Sequence, residues 1–133
     1  GISGAIPALV HSMLHFPESS SLQRNAIRAL TNIAFGNDSN RAQIGRHGGP
    51  QAIVAASRHH ADNAELLGFA FTAITNLSHN SEENRRLLGR SGAVDCLLGA
   101  MGSFLGNAKL QRQACWALLT LAASDEVASE INK

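Results

Sequence analysis

Ala26-Ile27-Arg28-Ala29-Leu30-Thr31-Asn32-Ile33-Ala34 returns 44 residues later as Ala70-Phe71-Thr72-Ala73-Ile74-Thr75-Asn76-Leu77-Ser78. The same interval leads on to Ala114-Cys115-Trp116-Ala117-Leu118-Leu119-Thr120-Leu121-Ala122. Gly4, Gly48 and Gly92 keep this interval too, and each opens an apolar run: Ala5 to Val10, Gly49 to Val54, and Ala93 to Leu98. No gap is needed between Gly4 and Ala122. A fixed period of this length marks stacked helical units, none of which can bury its apolar face alone.

Each unit reads as three helices. The first is short. Asn37, Ser81 and Asp125 share one phase, and each has a side-chain oxygen suited to cap a helix N-terminus. The helix then reaches an apolar anchor, Ile44 or Leu88. The third copy slips: its anchor, Ile131, falls one residue early, so Ser124 is the alternative cap that restores the spacing. His47-Gly48-Gly49 and Ser91-Gly92 are stop signals. The second helix carries Ile6, Leu9, Val10, Met13 and Leu14 at helical spacing, with Pro7 and Pro50 expected in first turns. The third is the longest, capped by Ser19, Asn63 and Asn107. Its inward stripe is Leu22, Ala26, Leu30 and Ile33, repeated as Leu66, Ala70, Ile74 and Leu77, then as Leu110, Ala114, Leu118 and Leu121.

The 133 residues are therefore almost wholly repeat: one domain, 1–133, with units at about 1–47, 48–91 and 92–133. The chain starts at a second helix and stops near the end of a first helix, which reads as a fragment of a longer array. Such a fragment is expected to leave apolar edges and to self-associate. A formal net charge of +1 supplies no case for nucleic acid or a membrane surface as partner. No apolar stretch is long enough to span a bilayer, and no signal-peptide pattern is present. Cys96 and Cys115 lie in apolar runs and read as small buried hydrophobes in a reducing compartment, cytoplasmic or nuclear. Two glycosylation-type triplets, at Asn37 and Asn76, carry no weight without sign of secretion.

Several phrases resemble armadillo repeats: Gly-Ala-Ile-Pro-Ala-Leu-Val from Gly4, Ala-Leu-Thr-Asn-Ile-Ala from Ala29, Ser-Glu-Glu-Asn-Arg from Ser81, and Gln-Ala-Cys-Trp-Ala-Leu from Gln113. HEAT repeats are the nearest rival, but they usually lack a separate short first helix before a glycine. The resemblance implies an all-α, right-handed superhelix of about three units whose third helices line a concave groove for an extended peptide. Importin alpha and beta-catenin are members of the family.

On the third helices, the face opposite the apolar stripe carries Arg24, Arg28, Thr31, Asn32 and Phe35 in the first copy. It carries Gly68, Thr72, Thr75, Asn76 and His79 in the second, and Arg112, Trp116, Leu119, Thr120 and Ala123 in the third. The candidate groove is thus Arg24, Arg28, Asn32, Phe35, Thr72, Asn76, His79, Arg112, Trp116 and Thr120. A carboxamide both donates and accepts, so Asn32 and Asn76 can pair with a peptide backbone of any sequence. The alternative is that they bond a carbonyl of the next helix and hold the stack. Trp116 reads either as a groove side chain or as packing against a further unit. In importin-like members a Trp lies four residues before each groove Asn. Here those positions are Arg28 and Asn32, Thr72 and Asn76, Trp116 and Thr120, so no copy has both. That argues against lysine-rich nuclear signals. Arg24, Arg28, Lys109 and Arg112, with Glu65 the exception, suit an acidic or phosphorylated segment better.

Chemistry has few candidates. His11 and His15 have the i, i+4 spacing of a metal pair but no third ligand in sequence. His59 and His60 read as solvent-facing. No phosphate loop, nucleophile motif or regular set of base-reading side chains is present, so no catalysis, cofactor, metal or nucleic acid is expected. The expected function is a protein-interaction scaffold that holds an extended segment along its third helices. The alternative is a regulatory or self-assembly domain of a larger enzyme or cytoskeletal protein, with no groove ligand.

Overall fold

The computed structural model describes residues 1–133, all of its regular structure helical. In chain order the helices are α1 (Ile2–His15), α2 (Ser20–Ala34), α3 (Asp38–Arg46), α4 (Gly49–His59), α5 (Ala64–Ser78), α6 (Glu82–Ser91), α7 (Ala93–Ser103), α8 (Ala108–Leu121) and α9 (Asp125–Ile131). The 44-residue shift relates α1, α4 and α7, then α2, α5 and α8, then α3, α6 and α9. The all-α solenoid read from the sequence is the fold observed.

Local chemistry sets the boundaries. Ser19, Asn63 and Asn107 each accept the backbone N–H three residues on, at 3.3, 3.1 and 3.0 Å. Asn37 and Ser81 do the same for α3 and α6. In the third copy the cap is Ser124, which accepts from Val127, and Asp125 is the first helical residue. Gly92 stops α6 with φ of 100°, in the left-handed region that a β-carbon disfavours.

Packing runs between neighbouring layers. The most extensive contacts are α2 with α5 and α5 with α8, so the three longest helices lie side by side. The inner helix α5 is buried along most of its length, including Leu66, Leu67, Ala70, Phe71, Ile74 and Leu77. Ile27 and Phe71, which share a phase, are fully buried, worth about 1.5–3 kcal/mol each.

Four expectations need correction. Pro7 lies inside α1, which starts at Ile2 and runs through Gly4 without the left-handed break found at Gly48 and Gly92. Cys115, in phase with Ile27 and Phe71, is exposed because no further helix layer covers its side of α8; only Cys96 is partly buried. The buried anchor of α9 is Val127, fully covered, whereas Ile131 is 37% exposed. His60 is not simply solvent-facing: its ring bonds the Pro17 carbonyl at 2.9 Å.

Candidate functional site

The neighbouring long helices meet at a regular offset. Arg24 pairs with Glu65 at 2.6 Å, the Arg28 guanidinium sits 5.0 Å from the centre of the Phe69 ring, and Gln113 reaches the Thr72 hydroxyl at 3.5 Å. All three pairs are 41 residues apart, about one helical turn short of the repeat. The exposed ion pair is worth about 0–1 kcal/mol and the cation–π contact a similar amount. Their effect is mainly on the charge offered to a visitor. Arg24 is neutralised by Glu65 and is not a free cation of the groove wall. Arg28, Lys109 and Arg112 remain exposed.

The remaining candidate residues lie on accessible surface. Asn32 and Thr72 are exposed, and Asn76 and Thr120 are partly so. Asn76 donates to the Thr72 carbonyl of its own helix at 3.1 Å, which leaves its Oδ1 for other use. The stack is held by a different asparagine. Asn84, 1% exposed, donates to the carbonyls of Arg41 and Leu77, both at 3.0 Å. Gly68 is withdrawn from the candidate face because the Gln113 side chain lies over it, 2.9 Å from where a β-carbon would stand.

Phe35, 76% exposed, and Trp116, 66% exposed, come from α-helical layers two repeats apart. They line one cleft of about 400 Å³, together with Thr72, Thr75, Asn76 and Gln113. A second cleft of about 380 Å³ shares Phe35, Thr75, Asn76 and Trp116 and adds Arg41, His79 and Thr120. Residues from the layers on either side of α5 line one hollow on this side of the stack. Thus Phe35, Thr72, Asn76, His79, Trp116 and Thr120 come together. Arg24, Arg28 and Asn32, all on α2, and Arg112 on α8 line neither cleft.

Sequence reasoning missed Arg41. It is 5% exposed, donates to the Ala34 carbonyl at 2.8 Å and pairs with Asp38, and its Nε has no partner. The Arg41 guanidinium beside Asp38 holds that carboxyl below its ordinary value. The signal available was the in-phase recurrence of arginine at Arg41 and Arg85, after caps four residues earlier. No group of three or more His, Cys, Asp or Glu side chains is placed to hold a metal. The His11 and His15 rings lie 4.3 Å apart, tilted by 31°, on the exposed face of α1. Burial pushes the Cys96 thiol above its ordinary value, which disfavours the reactive thiolate. No helix is long and apolar enough to cross a membrane.

Residues 2–35 match the family model described as Armadillo/beta-catenin-like repeat. The matched segment is α1 with α2, and both helices recur twice more along the chain at the same interval. No curated protein matches the chain.

Proposed function

We propose that the chain, whose residues 2–35 match an armadillo-repeat model and whose later units repeat the same helix pattern, is a protein-interaction scaffold that takes an extended segment across α2, α5 and α8. The observation that carries this reading is the hollow over α5, where Asn76 offers a free Oδ1 between two exposed aromatic side chains. Extended chains have unpaired backbone N–H and C=O groups, and a carboxamide can satisfy either. Asn32 offers the same group one layer away. Arg28, Lys109 and Arg112 favour an acidic or phosphorylated segment, although pairing of Arg24 with Glu65 makes the bias weaker than composition implied.

The test is Asn32→Ala with Asn76→Ala in one chain. The expected result is loss of a peptide captured by the wild type, with an unchanged melting temperature. Retained binding sinks the groove reading.

A second reading has its own support. Leu105, Leu119 and Cys115 are exposed on α8 and the turn before it, Leu119 and Leu105 by 74% and 80%. On this reading the stack itself meets its partners, including further copies, as a regulatory or self-assembly domain. Sedimentation across a concentration series decides: a mass that rises with concentration, and falls back in Leu119→Ser, supports it, and a strict monomer rejects it.

A further inference from the structure

Every layer of the stack carries the same apolar triplet, one residue on each of its helices. In the first layer it is Val10, Ile27 and Ile44, and in the second Val54, Phe71 and Leu88, all buried. The third layer carries Leu98 on α7, Cys115 on α8 and Ile131 on α9, and all three are exposed. Val10, Val54 and Leu98 share one phase of the repeat, and Ile27, Phe71 and Cys115 share another. Ile44, Leu88 and Ile131 each stand at the same distance past a helix cap. What seals the triplet in the first two layers is therefore the layer that follows.

The opposite side shows the complement. Leu97, Leu110 and Ala117 are buried in the third layer, as Ile53, Leu66 and Ala73 are in the second. Their first-layer equivalents, Leu9, Leu22 and Ala29, are only half-buried. The preceding layer is what seals that set. Hydrogen bonds repeat the difference at Asn40, which occupies the place of Asn84. Asn40 donates to the Ile33 carbonyl at 2.9 Å, as Asn84 does to that of Leu77. The second bond of Asn84, across to the Arg41 carbonyl of the preceding layer, has no counterpart at Asn40.

The two faces of the stack thus present the two halves of the contact that already joins its layers. What fits the α7–α8–α9 face is another α1–α2–α3 face. We infer that a second copy of this chain stacks head to tail on the first, its α1, α2 and α3 covering Leu98, Cys115 and Ile131 in the register used inside the stack. This rests on the self-assembly reading and adds to it the partner and the surface. Arg112 holds the phase of Arg24, and Ser21 holds the phase of Glu65, so Arg112 faces Ser21 of the second copy as Arg24 faces Glu65. Asn40 of the second copy then reaches the Ala128 carbonyl, which stands as far past its cap as that of Arg41. The two faces differ, so each contact leaves one of each kind open and assembly continues past the dimer.

Sedimentation velocity over a concentration series in low salt tests this. The wild type is expected to grow past the dimer as concentration rises. Ser21→Glu rebuilds the Arg24–Glu65 pair across the contact and tightens it about 2- to 5-fold, and Ser21→Arg loosens it by a similar factor. Arg112→Glu together with Ser21→Arg in one chain restores the wild-type strength. Leu98→Asp places an unpaired carboxylate in the contact and weakens it by about 10-fold or more. Ser21, Leu98 and Arg112 are exposed, and melting temperatures of dilute samples check the fold of each variant. Association that is indifferent to both Ser21 substitutions, or that stops at a dimer, overturns the head-to-tail stack and leaves the self-assembly reading standing. A strict monomer overturns both.

Discussion

The carboxamide of Asn84 crosses from one short helix to the next and meets the Arg41 carbonyl at 3.0 Å. The same nitrogen meets the Leu77 carbonyl at 3.0 Å, so one buried side chain joins α6 to both α3 and α5. Removing it leaves two carbonyls without this donor. Asn84→Ala is expected to lower stability by about 1–3 kcal/mol. Asn84→Val recovers part of the loss, because Val127 fills the matching place in the third copy. Urea unfolding of the three chains measures both effects.

Glycines of the same type behave oppositely according to what faces them. A β-carbon on Gly45 would collide with the Asn84 carboxamide, and one on Gly89 would stand 2.8 Å from Val127. Gly45→Ala and Gly89→Ala are each expected to cost about 1–3 kcal/mol. Gly99, in α7, faces open space, and Gly99→Ala is expected to gain up to about 1 kcal/mol through helix propensity. Thermal midpoints that move the same way in all three variants would contradict this account.

Gln23 closes the turn between α1 and α2 by donating to the Met13 and Phe16 carbonyls, both at 2.9 Å. Gln111 repeats the bond pattern on Met101 and Phe104. Gln23 is buried and Gln111 half-buried. Gln23→Ala is expected to cost about 1–3 kcal/mol and Gln111→Ala less, since water can reach the freed carbonyls there. Chemical denaturation ranks them.

Arg90 forks onto both oxygens of Glu126, at 3.0 and 2.9 Å, tying α6 to α9. Its donors hold the Glu126 carboxyl below the ordinary value of 4.5. A carboxyl depressed in the folded state stabilises above its ordinary value and loses that contribution as pH falls through the folded one. The difference in melting temperature between wild type and Arg90→Ala is therefore expected near neutral pH and gone well below the ordinary Glu range. The pair is exposed, so the difference is small and shrinks in high salt.

Much of the fold was legible because it rests on local chemistry. Ser19, Asn37, Asn63, Ser81, Asn107 and Ser124 are each followed by a helix whose free N–H they accept. The site was less legible, because its assembly depends on which layer covers which. Cys115 occupies the phase of Phe71 but faces no following helix. Gly68 falls on the outward face by phase, but Gln113 lies across it. The offset of 41 that pairs Arg24 with Glu65 is a property of neighbouring helices, and the period of 44 does not reveal it. Gln23 and Gln111 share a phase, but Leu67 stands between them in the second copy, which hid the polar bridge. That Phe35 and Trp116 line one cleft depends on how three layers stack, which no local pattern encodes.

The socket over Gly45 receives a carboxamide and the equivalent socket over Gly89 receives an isopropyl group, each three residues past its cap. A coupling that tolerates either plug makes the modules interchangeable. Arrays of this kind can be lengthened, shortened or recombined by genetic duplication while the backbone of the adjoining module stays as it was.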